Sequence, residues 1–334
     1  MSTFAAVLLF TGVVAYAVLA GADFGAGFWD LTAGGAERGR APRHLIDLAL
    51  APVWEANHVW LIFCLVMLWT GFPTAFAAIT TTLFLPLGLA ALGIVARGSG
   101  FAFRKVFVRT DQQRLAGAAF AASSVITPFF LGTVTGGIAS GRVPTSGYGD
   151  PIRSWVNPTS ILGGILAVLA CAVLAAVFLV AEARLHREES LERWFRRRAW
   201  LASAVTGAVV LAGILVLRAD SPRLFAELTS RGLLAVLVSG ACGLAALVLL
   251  PRGDPALLRL LAVAAVVAVV AGWGVSQYPY LLGTHLTIDE AAAPTPTLWT
   301  LTLVAAAAVV LILPGFALLF VLQQRGRLET IERQ

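Results

Sequence analysis

Charge is what this sequence has least of. Only 13% of its 334 residues are Asp, Glu, Lys or Arg, 59% are apolar, and the mean hydropathy is +0.86. A soluble domain carries about 25% charged residues, so a water-facing surface of that kind is excluded and the solvent is lipid. Cysteine is scarce as well. Cys64, Cys171 and Cys242 lie in separate apolar runs, without the close spacing that metal ligands need, and read as small buried side chains. Histidine is limited to His44, His58, His186 and His285. Glu55-x-x-His58 has the spacing of a di-iron bundle ligand pair, but that chemistry requires a second such motif and none is present. His186 and His285 fall in loops on opposite sides of the membrane, so bis-His haem ligation within the chain is not expected, and a metal or haem at His58 would need ligands from elsewhere. No metal site and no catalytic residue is assigned. Also missing is a basic segment at residues 1–3, so Ala15-Tyr16-Ala17, which resembles a signal cleavage site, is expected to stay uncut.

What the sequence has in abundance is apolar runs of about 18 to 25 residues, each able to cross roughly 30 Å of hydrocarbon as a helix. The fold class expected is an all-α integral membrane protein with about nine transmembrane helices, at 3–29, 48–69, 74–96, 115–138, 159–182, 199–217, 232–250, 256–275 and 298–322. The connections are short, so residues 1–334 read as a single polytopic membrane domain. The net charge of +6 could suggest nucleic acid, but 19 Lys and Arg fall in one alternating set of connections and the tail, and five in the other. That bias is topological. By the positive-inside rule the N-terminus is outside, the C-terminus is cytoplasmic and the helix count is odd.

An unpaired charge at membrane depth costs at least about 2.5–3.5 kcal/mol on insertion scales, so each intramembrane acid or base needs a reason. Asp23 follows Gly21 and precedes Gly25, a small-xxx-small pair that permits close helix packing, about two turns above the basic end of the first helix. Glu55 lies at a comparable depth on the second helix, which enters through Pro52. If the helical phase runs through Pro52, then His44, Asp47, Glu55 and His58 share one stripe, a route by which protons could move inward. A purely structural role is equally open for Glu55 and Asp23, since Glu55 could pair with Arg97 or His58 to satisfy polar groups; His44 reads first as a solvated loop residue and only second as a relay. Trp29, Trp69, Trp155, Trp194, Trp200 and Trp299 cluster near expected helix ends as interfacial anchors. Trp54 instead precedes Glu55 inside the membrane, where it could pack or could stack on a quinone head group.

Several segments carry a family resemblance. Gly21-Ala22-Asp23-Phe24-Gly25-Ala26-Gly27 resembles the motif closing the first helix of subunit II in cytochrome bd-type quinol oxidases. Pro52-Val53-Trp54-Glu55-Ala56-Asn57-His58-Val59-Trp60-Leu61-Ile62 resembles that family's most specific signature. Phe72-Pro73-Thr74-Ala75-Phe76-Ala77, Arg97-Gly98-Ser99-Gly100-Phe101-Ala102-Phe103-Arg104, Tyr278-Pro279 and Leu286-Thr287-Ile288-Asp289-Glu290-Ala291-Ala292 follow in family order. The middle helices match in hydropathy alone.

The resemblance implies two four-helix bundles plus a peripheral helix, in the cytoplasmic membrane of a bacterium or archaeon. It implies a partner, subunit I, carrying haems b and d and oxidising quinol, with small single-helix subunits as further candidate partners. This chain would bind no haem, would support the dioxygen site, and would help deliver cytoplasmic protons through Glu55, with Asp23 and Arg97, the ion-pair partner, as neighbours; His44, Asp47 and His58 on the stripe described above could complete the path. Trp54 is the candidate contact for a structural quinone. Ala20 and Ala102 stand where many members carry acids, so part of an acidic lining is missing. The rival expectation is a secondary transporter, suggested by the membrane carboxylates, the glycines and Pro86, although no inverted repeat supports it.

Overall fold

The computed structural model describes residues 1–35, 37–50, 54–106 and 110–324. Among these the chain forms α1 (Ser2–Leu31), α2 (Arg40–Leu50), α3 (Trp54–Gly71), α4 (Pro73–Thr82), α5 (Phe84–Val106), α6 (Thr110–Ala139) and α7 (Pro158–Leu185). The second half adds α8 (Glu189–Asp220), α9 (Pro222–Thr229), α10 (Leu233–Leu249), α11 (Pro255–Gln277), a hairpin of β1 (Tyr280–Leu282) and β2 (Leu286–Thr287), α12 (Ile288–Ala291) and α13 (Thr295–Gln324). The protein is all-helical apart from that two-stranded ribbon. Among the described residues five helices are long and apolar enough to cross a membrane, or up to seven if each of two bent pairs counts as one span.

The differences from the expected segments have local causes. The region before residue 48 reads as a loop, yet α2 forms there. Pro42, Leu45 and Ile46 are buried on one side while His44 faces solvent, an amphipathic 3.6-residue pattern too polar for a hydropathy scan to register. The expected helix 48–69 is therefore divided: α2 ends at Leu50, α3 starts at Trp54, and the Pro52 junction lies outside the described residues. The expected helix 74–96 breaks at Leu83, because the ring of Pro86 offers no N–H and crowds the Thr82 carbonyl one turn back. The Thr82 hydroxyl then serves the loop beside the break, donating to Gly147 O at 3.2 Å and accepting from Gly149 N–H at 3.3 Å. Between α3 and α4 the chain turns by 117°.

The core is organised around α1 and α7. Toward the arginine-rich end, Ala172 to Ala183 of α7 pack with Ala26 and Trp29 of α1, Leu45 and Ile46 of α2, Phe195 of α8 and Leu258 of α11. Toward the opposite end, Ala5, Ala6 and Leu9 of α1 pack with Met67, Phe72 and Ile79 and with Leu282 and Leu286 of the ribbon. The outward faces of α8 and α10 stay apolar, with Leu215 70% and Leu234 75% exposed, as a lipid-facing surface requires. Trp69, Trp200 and Trp299 are exposed near helix ends. Trp29 differs from its expected anchoring role: it is buried, and its indole N–H donates to Ala172 O on α7 at 2.8 Å.

Candidate functional site

Glycine decides how closely α1 can approach its neighbours. A Cβ on Gly25 would fall inside the van der Waals sphere of the Cys171 carbonyl oxygen on α7, and one on Gly27 would collide with Ser124 on α6 and lie 2.9 Å from Arg97 Nη1. Such contact between backbones is what a small residue permits, and it brings Asp23 of α1, Arg97 of α5 and Ser124 of α6 into one buried layer.

The layer is built on an ion pair. Arg97 Nη2 lies 2.8 Å from Asp23 Oδ1, with both side chains 1% exposed. The same nitrogen donates to the Asp23 backbone oxygen at 3.0 Å, and Nη1 donates to Ser124 Oγ. Ser124 hands its own proton to Phe120 O at 2.6 Å. The guanidinium carbon sits 4.3 Å from the Phe120 ring centroid and 5.0 Å from that of Phe24, so two aromatic faces take part of the charge that water would otherwise solvate. Some capacity is left over. Asp23 Oδ2, Arg97 Nε, Tyr16 Oη and Thr127 Oγ1 are buried and have no hydrogen-bond partner among the described residues. Thr127 is one turn from Ser124 on α6, and Tyr16 packs with Ala20, Phe24 and Cys171. Buried unsatisfied oxygens beside a charge are the usual seats of internal water.

The expected residues distribute around this layer as follows. His58 of α3 is half-buried and meets Phe24 edge-on, with ring centroids 6.1 Å apart at 69°. Glu55 is three positions earlier on α3, hence about 4.5 Å nearer the helix start at 1.5 Å per residue. The side chains of Trp54 and Glu55 lie outside the described residues. Arg97 is bonded to Asp23; its expected pairing with Glu55 falls on a side chain outside the described residues. His44 and Asp47 belong to α2 rather than to the helix of Glu55 and His58; His44 is exposed and Asp47 half-buried. A second, shallower pair holds α2 in place. Arg43 Nε lies 2.7 Å from Asp30 Oδ1 while Nη2 donates to Gly34 O at 2.6 Å, clamping α2 to the end of α1. Asp30 is two helical turns from Asp23 on the same face of α1.

Sequence reasoning missed Ser124, Phe120, Asp30 with Arg43, and Asn57, which is 6% exposed one position before His58. The signal for Ser124 was present: Ser123, Ser124 and Thr127 interrupt the apolar run 115–132 of α6, and all three are buried. The remaining histidines stand apart, His285 exposed in the ribbon turn and His186 exposed, 3.3 Å from Glu182. Among the described residues no three His, Cys, Asp or Glu side chains gather as metal ligands.

Residues 1–323 match the profile of the family described as cytochrome bd terminal oxidase subunit II. The chain is 28% identical over 160 residues to the cytochrome bd ubiquinol oxidase subunit 2 of Bacillus subtilis (strain 168), covering 47% of this chain and 46% of that protein. It is 26% identical over 223 residues to the putative cytochrome bd menaquinol oxidase subunit II of the same organism, covering 64% and 62%. To the cytochrome bd-I ubiquinol oxidase subunit 2 of Escherichia coli (strain K12) it is 24% identical over 174 residues, covering 50% and 45%. The chain thus spans between 45% and 62% of the length of these curated relatives. Its fold resembles a chain in the structure of bd oxidase from Geobacillus thermodenitrificans, with a TM-score of 0.75 at 23% identity, over 96% of this chain and 97% of that one.

Proposed function

The chain belongs to the cytochrome bd terminal oxidase subunit II family, and from that premise we propose that it is the haem-free subunit of a membrane-bound quinol oxidase. Its partner is a subunit I that carries haems b and d, oxidises quinol near the outer face and reduces dioxygen to water. The seven spans counted above, with the shorter apolar stretches Phe84–Gly100 and Thr295–Ala308, make nine crossings. These are arranged as two four-helix bundles and a peripheral helix, with the N-terminus outside and the arginine-rich turns in the cytoplasm. The host membrane is the plasma membrane of a prokaryote.

Within that assembly the chain takes protons from the cytoplasm. The observation that carries this reading is the buried Asp23–Arg97 pair, whose second carboxylate oxygen has no partner among the described residues, two helical turns inside the Asp30–Arg43 clamp. Glu55, three positions before His58 on α3, receives a proton by way of the α2 surface bearing His44 and Asp47 and passes it inward toward Asp23. Quinol protons leave outside while substrate protons enter from inside, so charge separates without a pump. Trp54 provides a stacking face for a structural quinone.

The transporter reading draws support from two sharp bends, 117° between α3 and α4 and 81° between α9 and α10. Both bends lie at the end that carries the ribbon, since Gly71 O accepts from Ala293 N–H and Arg231 donates to Tyr278 O. A transporter needs its broken helices at mid-membrane, so the oxidase reading is preferred. Affinity purification from native membranes tests it. A haem-containing partner with a haem d band in the reduced spectrum is expected, and recovery of the chain without haem overturns the assignment.

A further inference from the structure

Four arginines fall within six residues at the start of α8: Arg193, Arg196, Arg197 and Arg198. Their surroundings differ sharply. Arg196 is used up internally, 2.9 Å from Glu192 and donating to Leu250 O and Gly253 O. Arg193 pairs with Glu189 at 3.4 Å in full solvent. Nearby acids are already engaged: Glu192 is shared with Arg184, and Asp254 faces Arg184 at 3.5 Å. Arg197 is exposed and Arg198 half-buried, and among the described residues neither has an acidic partner or a hydrogen bond. Arg198 is nonetheless held in place, its guanidinium 3.2 Å from the Trp194 ring centroid.

These two charges stand about 12 to 13 Å along α8 from its first residue, immediately before the apolar run that begins at Ala199. Three and four positions beyond Arg197, on the same face, Trp200 is 43% and Leu201 49% exposed, and Val205 continues the face at 51%. A pair of unneutralised guanidinium groups thus sits on an exposed apolar stripe with a tryptophan between them and the hydrocarbon. We propose that Arg197 and Arg198 bind the phosphate of an anionic phospholipid of the inner leaflet, one acyl chain lying along Trp200, Leu201 and Val205. Planar guanidinium groups match phosphate oxygens in bidentate geometry. The stacking of Arg198 on Trp194 lowers the ordering cost of that contact. The inference needs only the membrane orientation and is independent of the oxidase reading.

The test uses the intact complex purified from membranes, stripped of lipid in detergent and titrated with dioleoylphosphatidylglycerol, bound lipid being read by native mass spectrometry. Each arginine lost is expected to weaken binding about fivefold, so R197Q/R198Q weakens the site roughly 25-fold. R197K/R198K, which keeps both charges but loses the bidentate fork and the stacking on Trp194, binds more weakly than wild type and more tightly than R197Q/R198Q. Dioleoylphosphatidylcholine binds both forms alike, and Arg153→Gln at the opposite end of the protein leaves phosphatidylglycerol binding unchanged. Equal binding of phosphatidylglycerol by wild type and R197Q/R198Q, no headgroup preference in the wild type, or an equal loss on Arg153→Gln would each overturn the proposal.

Discussion

Replacing Arg97 by Gln removes the cation from a layer in which it is, among the described residues, the only side-chain partner of Asp23. Both side chains are 1% exposed, so bulk solvent cannot take over. Breaking such a pair by removing one partner costs about 3–5 kcal/mol, because it leaves a buried charge uncompensated. The pair Arg193–Glu189 provides the internal standard: its side chains are 73% and 83% exposed, and Arg193→Gln is expected to cost about 0–1 kcal/mol. Asp23→Asn combined with Arg97→Gln removes both charges and leaves neutral amides, so the double variant should be more stable than Arg97→Gln alone, a non-additivity of at least about 1 kcal/mol. Denaturant unfolding of the purified complex, followed by tryptophan fluorescence, measures these differences. Repeating it between 0.1 and 1 M salt, where the screening length falls from about 10 to 3 Å, should leave the Arg97 loss unchanged. If Arg97→Gln costs less than about 1 kcal/mol, or if the two substitutions simply add, the pair is solvated and the description of the site fails.

Two further perturbations probe how the site is held. Gly25→Leu forces α1 away from the Cys171 carbonyl of α7 and is expected to cost about 1–3 kcal/mol by overpacking, seen as reduced assembly yield, whereas Gly35→Ala, where a Cβ meets nothing within 4 Å, should be silent in the same assay. Arg43→Gln strips Asp30 of its 2.7 Å partner and should cost about 1.5–3 kcal/mol. Its signature is faster amide exchange confined to α2, and uniform protection in wild type and variant would show that the clamp does not hold that helix.

What could be read from the residues, and what could not, follows from which property each feature depends on. The long apolar runs of α1, α7, α8 and α11 are written in hydropathy and need no tertiary information. So is the depth of Asp23, since distance along a helix is a matter of counting. The choice of partner is not. Counting leaves both Asp23 and Glu55 as candidates for Arg97, and only the rotation of α5 against α1 brings Arg97 against Asp23. α2 escaped because its charged face masks its apolar one, and the turn at Leu83 escaped because a proline in a membrane helix is compatible with a kink, a break or neither. Pro128 and Pro314 lie inside α6 and α13, which continue through them. The ribbon at Tyr280–Thr287 is too short to carry an alternating pattern.

The proposed function rests on inward proton delivery by Glu55 toward Asp23. Its most direct test is the rate of proton uptake from the cytoplasmic side during a single turnover of the assembled oxidase in proteoliposomes, compared between wild type and Glu55→Gln. With the haem d band intact in both, uptake in the variant should slow by about 10²-fold, the lower end of what a positioned proton-transfer group contributes; an unchanged rate would contradict the account.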